Sequence, residues 1–216
     1  MTLTSHANNL LIETAIEALA LQGYAILPEW FCKEQVQSLS HRVQMLKMAH
    51  LLTPASTGKV SRLDTSVRGD HTYWLANDSP NLAEQQYLAS MHTLQGALNQ
   101  AFYFGLNSIE SHFAIYPVGT FYKKHLDQFK NNQPQQDAMR KVSSVLYLNE
   151  DWQADDGGQL RLYLDENKAG QMLDISPTAG TLVLFMSARF YHEVLPAKRE
   201  RLSVTGWFKT RDSTLL

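Results

Sequence analysis

The sequence predicts an α+β fold in which N-terminal helices support an all-β core, a sandwich or jelly roll. Two observations carry that expectation: the hydrophobic period changes from helical to alternating near the middle of the chain, and turn formers punctuate everything after the change. The chain has 216 residues, 44% of them hydrophobic, enough for one large domain. The expected division is residues 1–110 as helical support with short strands and a loop near 60–76, and residues 111–211 as the core, together one globular body.

In chain order, "NLLIETAIEALALQG" reads as a helix ending near Gly23, and "YAIL" as a short strand that Pro28 ends. In "KEQVQSLSHRVQMLKMAH" the residues Val36, Leu39, Val43 and Leu46 recur at helical spacing, and Leu88, Met91, Leu94 or Gln95, Leu98 and Phe102 repeat the pattern downstream. Both stripes are core faces. The stretch from Thr53 to Asp70 reads as a loop-rich connection. From about Ser111 the runs "SHFAIYPV", "TFYKKHLD", "VSSVLYLN", "GQLRLYL", "TLVLFM" and "RLSVTGWF" are rich in β-branched and aromatic residues, separated by Gly119, "NNQP", "DDGG" and "SPTAG". Many short strands so spaced suggest a sandwich or jelly roll.

Composition narrows the function classes. Lys plus Arg total 19 against 21 for Asp plus Glu, a formal charge of -2, so no global basic field draws in nucleic acid. The single cysteine, Cys32, forms no internal disulfide and no thiolate metal site, and is expected as a small buried or semi-buried residue. No basic start leads into a long apolar core, and no segment approaches the ~20 apolar residues of a membrane span. The expectation is a cytoplasmic protein with neither nucleic-acid nor membrane partners.

Chemistry concentrates in "FYKKHLDQF". On a strand, positions i and i+2 project to one side, so His125 and Asp127 share a face. Taken alone the pair reads as a surface ion pair or as two ligands of one metal, which would need a third from elsewhere to occupy one side of iron. His192, after the apolar strand "TLVLFM", is the only other histidine in the final hundred residues, and it reads as a partly buried structural histidine or as that third ligand. Nine residues later Arg201 opens a strand whose parity puts Arg201, Ser203, Thr205 and Trp207 on one face and Leu202, Val204 and Phe208 on the other. A buried guanidinium requires an anion, supplied by an internal Asp or Glu or by a dicarboxylate cofactor. His112 shares parity with Tyr116 and is expected near the site without being a ligand.

The HxD pair, the distal histidine and the arginine nine residues on resemble the Fe(II)- and 2-oxoglutarate-dependent dioxygenases, specifically the prolyl 4-hydroxylase group. "VRGDHTYWL", "YPVGTFYKKHLD", "VLYLNEDW", "GGQLRLY", "HEVLP" and "RLSVTGW" follow in the order of the hypoxia-inducible-factor prolyl hydroxylases and their bacterial relatives, from about Val60 to Lys209. Arginine at 201 favours that branch, because collagen-type enzymes usually carry lysine there. The resemblance implies a double-stranded β-helix (cupin-like) core, Fe(II), 2-oxoglutarate and O2, with ascorbate as a candidate reductant. It makes His125, Asp127 and His192 the iron ligands and counts Arg201 with them in the catalytic set. Arg201 and Tyr147 would hold the far carboxylate of 2-oxoglutarate, and Tyr116, Leu160, Thr205 and Trp207 would line its pocket. Relatives with a small residue at the position of Asp127 can halogenate; the carboxylate implies hydroxylation, with release of succinate and carbon dioxide.

The implied substrate is a prolyl residue of a protein or peptide, with elongation factor Tu a candidate if the source is bacterial, and oxygen sensing a further implication. Arg68, Asp70, Trp74 and Arg140 are the implied substrate residues, with residues 60–76 implied to be a mobile loop that an Asp70 to Arg140 salt bridge orders when substrate binds; the alternative is that "RGD" is an exposed turn without a partner. "QFKNNQPQQDAMRK" is expected as a second substrate loop. Two other readings stay open: hydroxylation of a free small molecule such as an amino acid, and a non-enzymatic jelly-roll module that binds metal.

Overall fold

The computed structural model describes residues 3–55, 64–128, 139–165 and 171–211, and only the backbone for residues 3–8. The elements are α1 (Leu3–Gln22), β1 (Tyr24–Leu27), α2 (Lys33–Met48), β2 (Thr53–Pro54), β3 (His71–Trp74), α3 (Leu82–Phe102), β4 (Leu106–Tyr116), β5 (Tyr122–His125), β6 (Arg140–Tyr147), β7 (Leu160–Tyr163), β8 (Met172–Ile175), β9 (Leu182–Met186), β10 (Tyr191–Val194) and β11 (Arg201–Thr210).

The helices follow their apolar stripes. In α2 the buried residues are Val36, Leu39, Val43 and Leu46, as the spacing predicts. In α3, Leu94 rather than Gln95 takes the buried position, and Asn81 starts the helix by accepting from the amides of Ala83 and Glu84. Arg42 on α2 pairs with the buried Glu84 on α3 at 2.6 Å, tying the two helices together. Helix α1 begins at Leu3, upstream of the expected start. Cys32 is exposed at the N-cap of α2, which corrects its expected burial.

Among the described residues the strands form two antiparallel sheets, a larger one in the order β1-β9-β6-β11-β4-β3-β2 and a smaller one in the order β5-β10-β7-β8. Strand alternation gives the larger sheet two different faces. Phe113, Ile115, Leu146, Leu184, Val204 and Phe208 pack with the helices in one apolar cluster. Ala114, Tyr116, Val145, Tyr147, Val183 and Phe185 face Leu160, Leu162 and Val194 of the smaller sheet in another. The helices thus cover one face and the smaller sheet the other, the jelly-roll arrangement expected.

Several boundaries differ from the expected ones. Strand β4 starts at Leu106, before the expected change at 111, because Asn99 of α3 accepts from the Leu106 amide at 2.7 Å and donates to its carbonyl at 2.9 Å. The larger sheet therefore runs across the 110/111 division, and β1, β2 and β3 belong to it. His192, after the apolar strand "TLVLFM", lies within a short strand of its own, β10. Of the polar loop at 128–141, residues 129–138 lie outside the described residues, as do residues 56–63, which include the start of the loop near 60–76.

Candidate active site

The pairing of β5 with β10 sets His125 and His192 in register, with ring centroids 4.2 Å apart. Strand β5 ends at His125, so Asp127 lies in the bend beyond it, not on the strand as its parity suggested. The bend still brings the carboxylate between the imidazoles: Oδ1 is 3.6 Å from His125 Nε2 and Oδ2 is 3.6 Å from His192 Nε2. The ligand atoms of the three residues all lie within 4.8 Å of one another, so they are able to hold a metal ion.

Surrounding atoms aim these groups. The Nδ1 atoms of His125 and His192 donate to the carbonyls of Lys123 at 2.8 Å and Phe190 at 3.2 Å, which leaves each Nε2 lone pair facing Asp127. Ser143, across β6, donates to Asp127 Oδ2 at 2.6 Å and shares a hydrogen bond with Ser187 at 2.8 Å. Burial pushes the Asp127 carboxyl up, but His192, His125 and the Ser143 hydroxyl outweigh it and hold the group well below the usual carboxylate range. Burial pushes His192 down to about 4 against the pull of Asp127, so its imidazole is neutral at pH 7, the form that binds metal.

A buried cation lies on the larger sheet, which faces the strands that carry the two histidines. Registration of β11 against β4 and β6 sets Arg201 opposite Tyr116 and Ser203 opposite Tyr147. Arg201, 1% exposed, donates from Nε to the Gly158 carbonyl at 2.9 Å and from Nη1 to Ser203 Oγ at 3.4 Å, with its Cζ 5.1 Å from the rings of both Tyr116 and Tyr147. Among the described residues no carboxylate pairs with it. Its Nη2 and the hydroxyl of Tyr147 are both buried without a hydrogen-bond partner. Burial, partly offset by Arg201, pushes Tyr147 up to about 12, so it remains a donor. Two donors buried side by side without an acceptor fit the far carboxylate of a dicarboxylate. Leu160 is buried on the facing sheet, and Thr205, opposite Val145, lies on the strand face of Arg201, one step from Trp207, whose register partner Ser143 bonds Asp127.

The expected substrate residues divide into two groups. Arg68 and Asp70 pair with each other through a bidentate fork, 2.7 and 2.6 Å, and Asp70 is only 2% exposed. The "RGD" segment is therefore not a partnerless turn, and here the partner of Asp70 is Arg68 rather than Arg140. The Arg140 guanidinium lies 3.7 Å over the Trp207 ring and 3.7 Å from Glu110. Trp74, 53% exposed, packs on His112, which packs in turn on Trp207. His112 is buried, its Nδ1 has no partner, and burial pushes it down to about 4; it is absent from the metal-competent group.

Sequence reasoning missed Tyr122, Ser143, Ser187 and Gly158. Ser143 had a signal, since it shares strand parity with Val145 and Tyr147. Tyr122 had none: it stacks on His125 at 3.7 Å although three residues earlier on the same strand.

Residues 111–209 match the 2OG-Fe(II) oxygenase superfamily. A prolyl-4-hydroxylase from Pseudomonas putida is 40% identical, with a TM-score of 0.81 over 93% of this chain and 99% of that one. A prolyl hydroxylase from Trichoplax adhaerens, solved with a hypoxia inducible factor oxygen degradation domain peptide fragment, is 26% identical, with a TM-score of 0.84 over 99% of this chain and 94% of that one. Human Egl nine homolog 1 is 30% identical over 95% of this chain and 48% of its own length. The chain belongs to the 2-oxoglutarate- and Fe(II)-dependent oxygenase superfamily, and its relatives include prolyl hydroxylases. That family uses Fe(II), 2-oxoglutarate and O2, and the His-Asp-His group with the unpartnered Arg201 and Tyr147 donors fits the first two. The chain spans 28% of the length of the Caenorhabditis elegans relative and 48% of that of human Egl nine homolog 1.

Proposed function

We propose that this chain is an Fe(II)- and 2-oxoglutarate-dependent dioxygenase that hydroxylates a prolyl residue of a protein or peptide. The observation that carries the reading is the pair of buried, acceptor-less donors on Arg201 and Tyr147, on strands of the larger sheet, beside a metal-competent His125, Asp127 and His192 group whose histidines lie on the facing smaller sheet. A metal-binding module without a cofactor would have satisfied Arg201 internally, and among the described residues no carboxylate does so.

In this reading His125, Asp127 and His192 hold iron, Arg201 and Tyr147 hold the far carboxylate, and Tyr116, Leu160, Thr205 and Trp207 wall the cosubstrate. When bound, iron and 2-oxoglutarate would activate O2, one oxygen atom of which would convert a C–H bond to C–OH while the other enters succinate as carbon dioxide is released. The chain's share is orientation and exclusion of water: Ser143 fixes Asp127, and backbone carbonyls fix both imidazoles. We assign Arg68, Asp70, Trp74 and Arg140 to the substrate, with Asp70 exchanging Arg68 for Arg140 when a peptide binds. A peptide substrate is supported by the Trichoplax relative, solved with one. No helix among the described residues is long and apolar enough to cross a membrane, and we place the enzyme in the cytoplasm, with elongation factor Tu a first folded protein to try and oxygen sensing a candidate role.

The test is 2-oxoglutarate turnover with a panel of prolyl peptides and of free amino acids, with the product located by mass spectrometry. Peptide-stimulated succinate release with +16 Da on proline supports the reading. Stimulation by free amino acids alone would replace it with a small-molecule hydroxylase.

A further inference from the structure

A column of stacked side chains runs from the 64–70 segment to one of the metal ligands. The Tyr122 ring lies on the His125 imidazole, centroids 3.7 Å apart and planes 19° apart. The Arg68 guanidinium sits 4.3 Å from the same tyrosine centroid, which the imidazole leaves room for only on the opposite face. Arg68 is fixed in turn by its two-pronged bond to Asp70, whose side chain is fully buried. Carboxylate, guanidinium, phenol and imidazole thus form one contiguous stack.

The backbone reinforces it. Arg68 and Tyr122 form an antiparallel bridge, the Gly69 amide donates to the Phe121 carbonyl at 3.0 Å, and the Lys123 amide donates to the Val67 carbonyl at 2.9 Å. The approach is close enough that a Cβ at Gly69 would lie 2.7 Å from Thr120 Cβ, so only glycine lets the segment dock. On the His125 side, Nδ1 fixes one edge of the ring and His192 lies against it at 4.2 Å, which leaves Tyr122 to set the remaining face.

The geometry points to Tyr122 as a positioning residue for His125, and as the joint through which docking of residues 64–70 and loading of the metal site reinforce each other. The inference rests on His125 being a metal ligand. Because linkage is reciprocal, a docked segment that favours metal must itself be favoured by metal to the same degree. The planar faces of Tyr122 carry the coupling, and its hydroxyl does not.

The experiment is hydrogen exchange at the Gly69 and Lys123 amides, with and without Mn(II) plus 2-oxoglutarate, beside Mn(II) affinities of the wild type, Tyr122→Phe, Tyr122→Leu and His192→Ala. The inference predicts exchange slowed about fivefold by metal at those two amides, the low end of ordinary coupling. Tyr122→Phe should match the wild type. Tyr122→Leu should bind Mn(II) about fivefold more weakly and lose the metal-dependent protection, while exchange in β4 and β11 stays that of a folded sheet. Metal binding that leaves the two amides unchanged, or wild-type affinity in Tyr122→Leu, would overturn the coupling. Equal Mn(II) binding by the wild type and His192→Ala would instead overturn the ligand assignment beneath it.

Discussion

Ser143 donates to Asp127 Oδ2 at 2.6 Å from across the sheet, and so fixes the one candidate ligand that lies outside regular structure. Removing that bond in Ser143→Ala leaves a small side chain in a buried strand position and frees the carboxylate to rotate. Outer hydrogen bonds of this kind are worth about 10- to 100-fold in metal affinity. Anaerobic Fe(II) titration of Ser143→Ala should show weakening of about 10-fold, with little change in thermal stability.

Arg201 opposes stability and function to each other. Without an anion it is a buried cation held by two hydrogen bonds, and apolar replacements of such charges are often neutral or stabilising by roughly 1–4 kcal/mol. Arg201→Met should unfold no earlier than the wild type without ligand, and should lose the rise in Tm that 2-oxoglutarate gives the metal-loaded wild type. Differential scanning fluorimetry with and without 2-oxoglutarate reads both effects.

Gly158 makes a subtler version of the same test. Its φ of +69° disfavours any other residue, and a Cβ there would lie 3.0 Å from Ala197 Cβ, 3.1 Å from Trp152 Cζ2 and 3.3 Å from Arg201 Cδ. Its carbonyl also accepts from Arg201 Nε. Gly158→Ala should cost about 1–3 kcal/mol of stability and weaken 2-oxoglutarate while leaving Fe(II) binding intact, measured by urea unfolding and by titration of each ligand separately.

Acid should destabilise the metal-free protein through its buried imidazoles. Burial pushes His112 and His192 down to about 4, whereas both approach 6.5 when unfolded. The unfolded chain therefore binds more protons between these values, so this stability is fully present above about 6.5 and is lost progressively as pH falls toward 4. Asp70, Arg68, Arg140 and Asp127 act on His112 with opposing signs and leave burial in control. Urea unfolding from pH 7.5 to 4.5 should show the decline, and His112→Leu should flatten part of it; an unchanged slope in that variant would remove His112 from the account.

Much of this site was legible because strand parity is a strict rule. "RLSVTGWF" divides into Arg201, Ser203, Thr205 and Trp207 facing the smaller sheet and Leu202, Val204 and Phe208 facing the helices, as the structure shows. Parity failed where strands ended: Asp127 reaches the site through a bend, and the four-residue strands β8 and β10 are too short to show a period. The Arg68 to Asp70 pair is an i, i+2 contact that parity could have found, but the family resemblance pointed to Arg140 as the partner instead. Tyr122 and Gly158 matter through contacts made in three dimensions, by ring stacking and by space for a neighbour, and neither leaves a periodic trace.

The most direct test of the central claim is anaerobic titration of the metal-free protein with Fe(II) and 2-oxoglutarate, watching for the visible charge-transfer band of the chelate. The wild type should show a band that is lost in His192→Ala and weakened in Arg201→Ala. A folded wild type that binds Fe(II) and shows no such band would contradict that claim, because Arg201 and Tyr147 would then be holding something other than the cosubstrate.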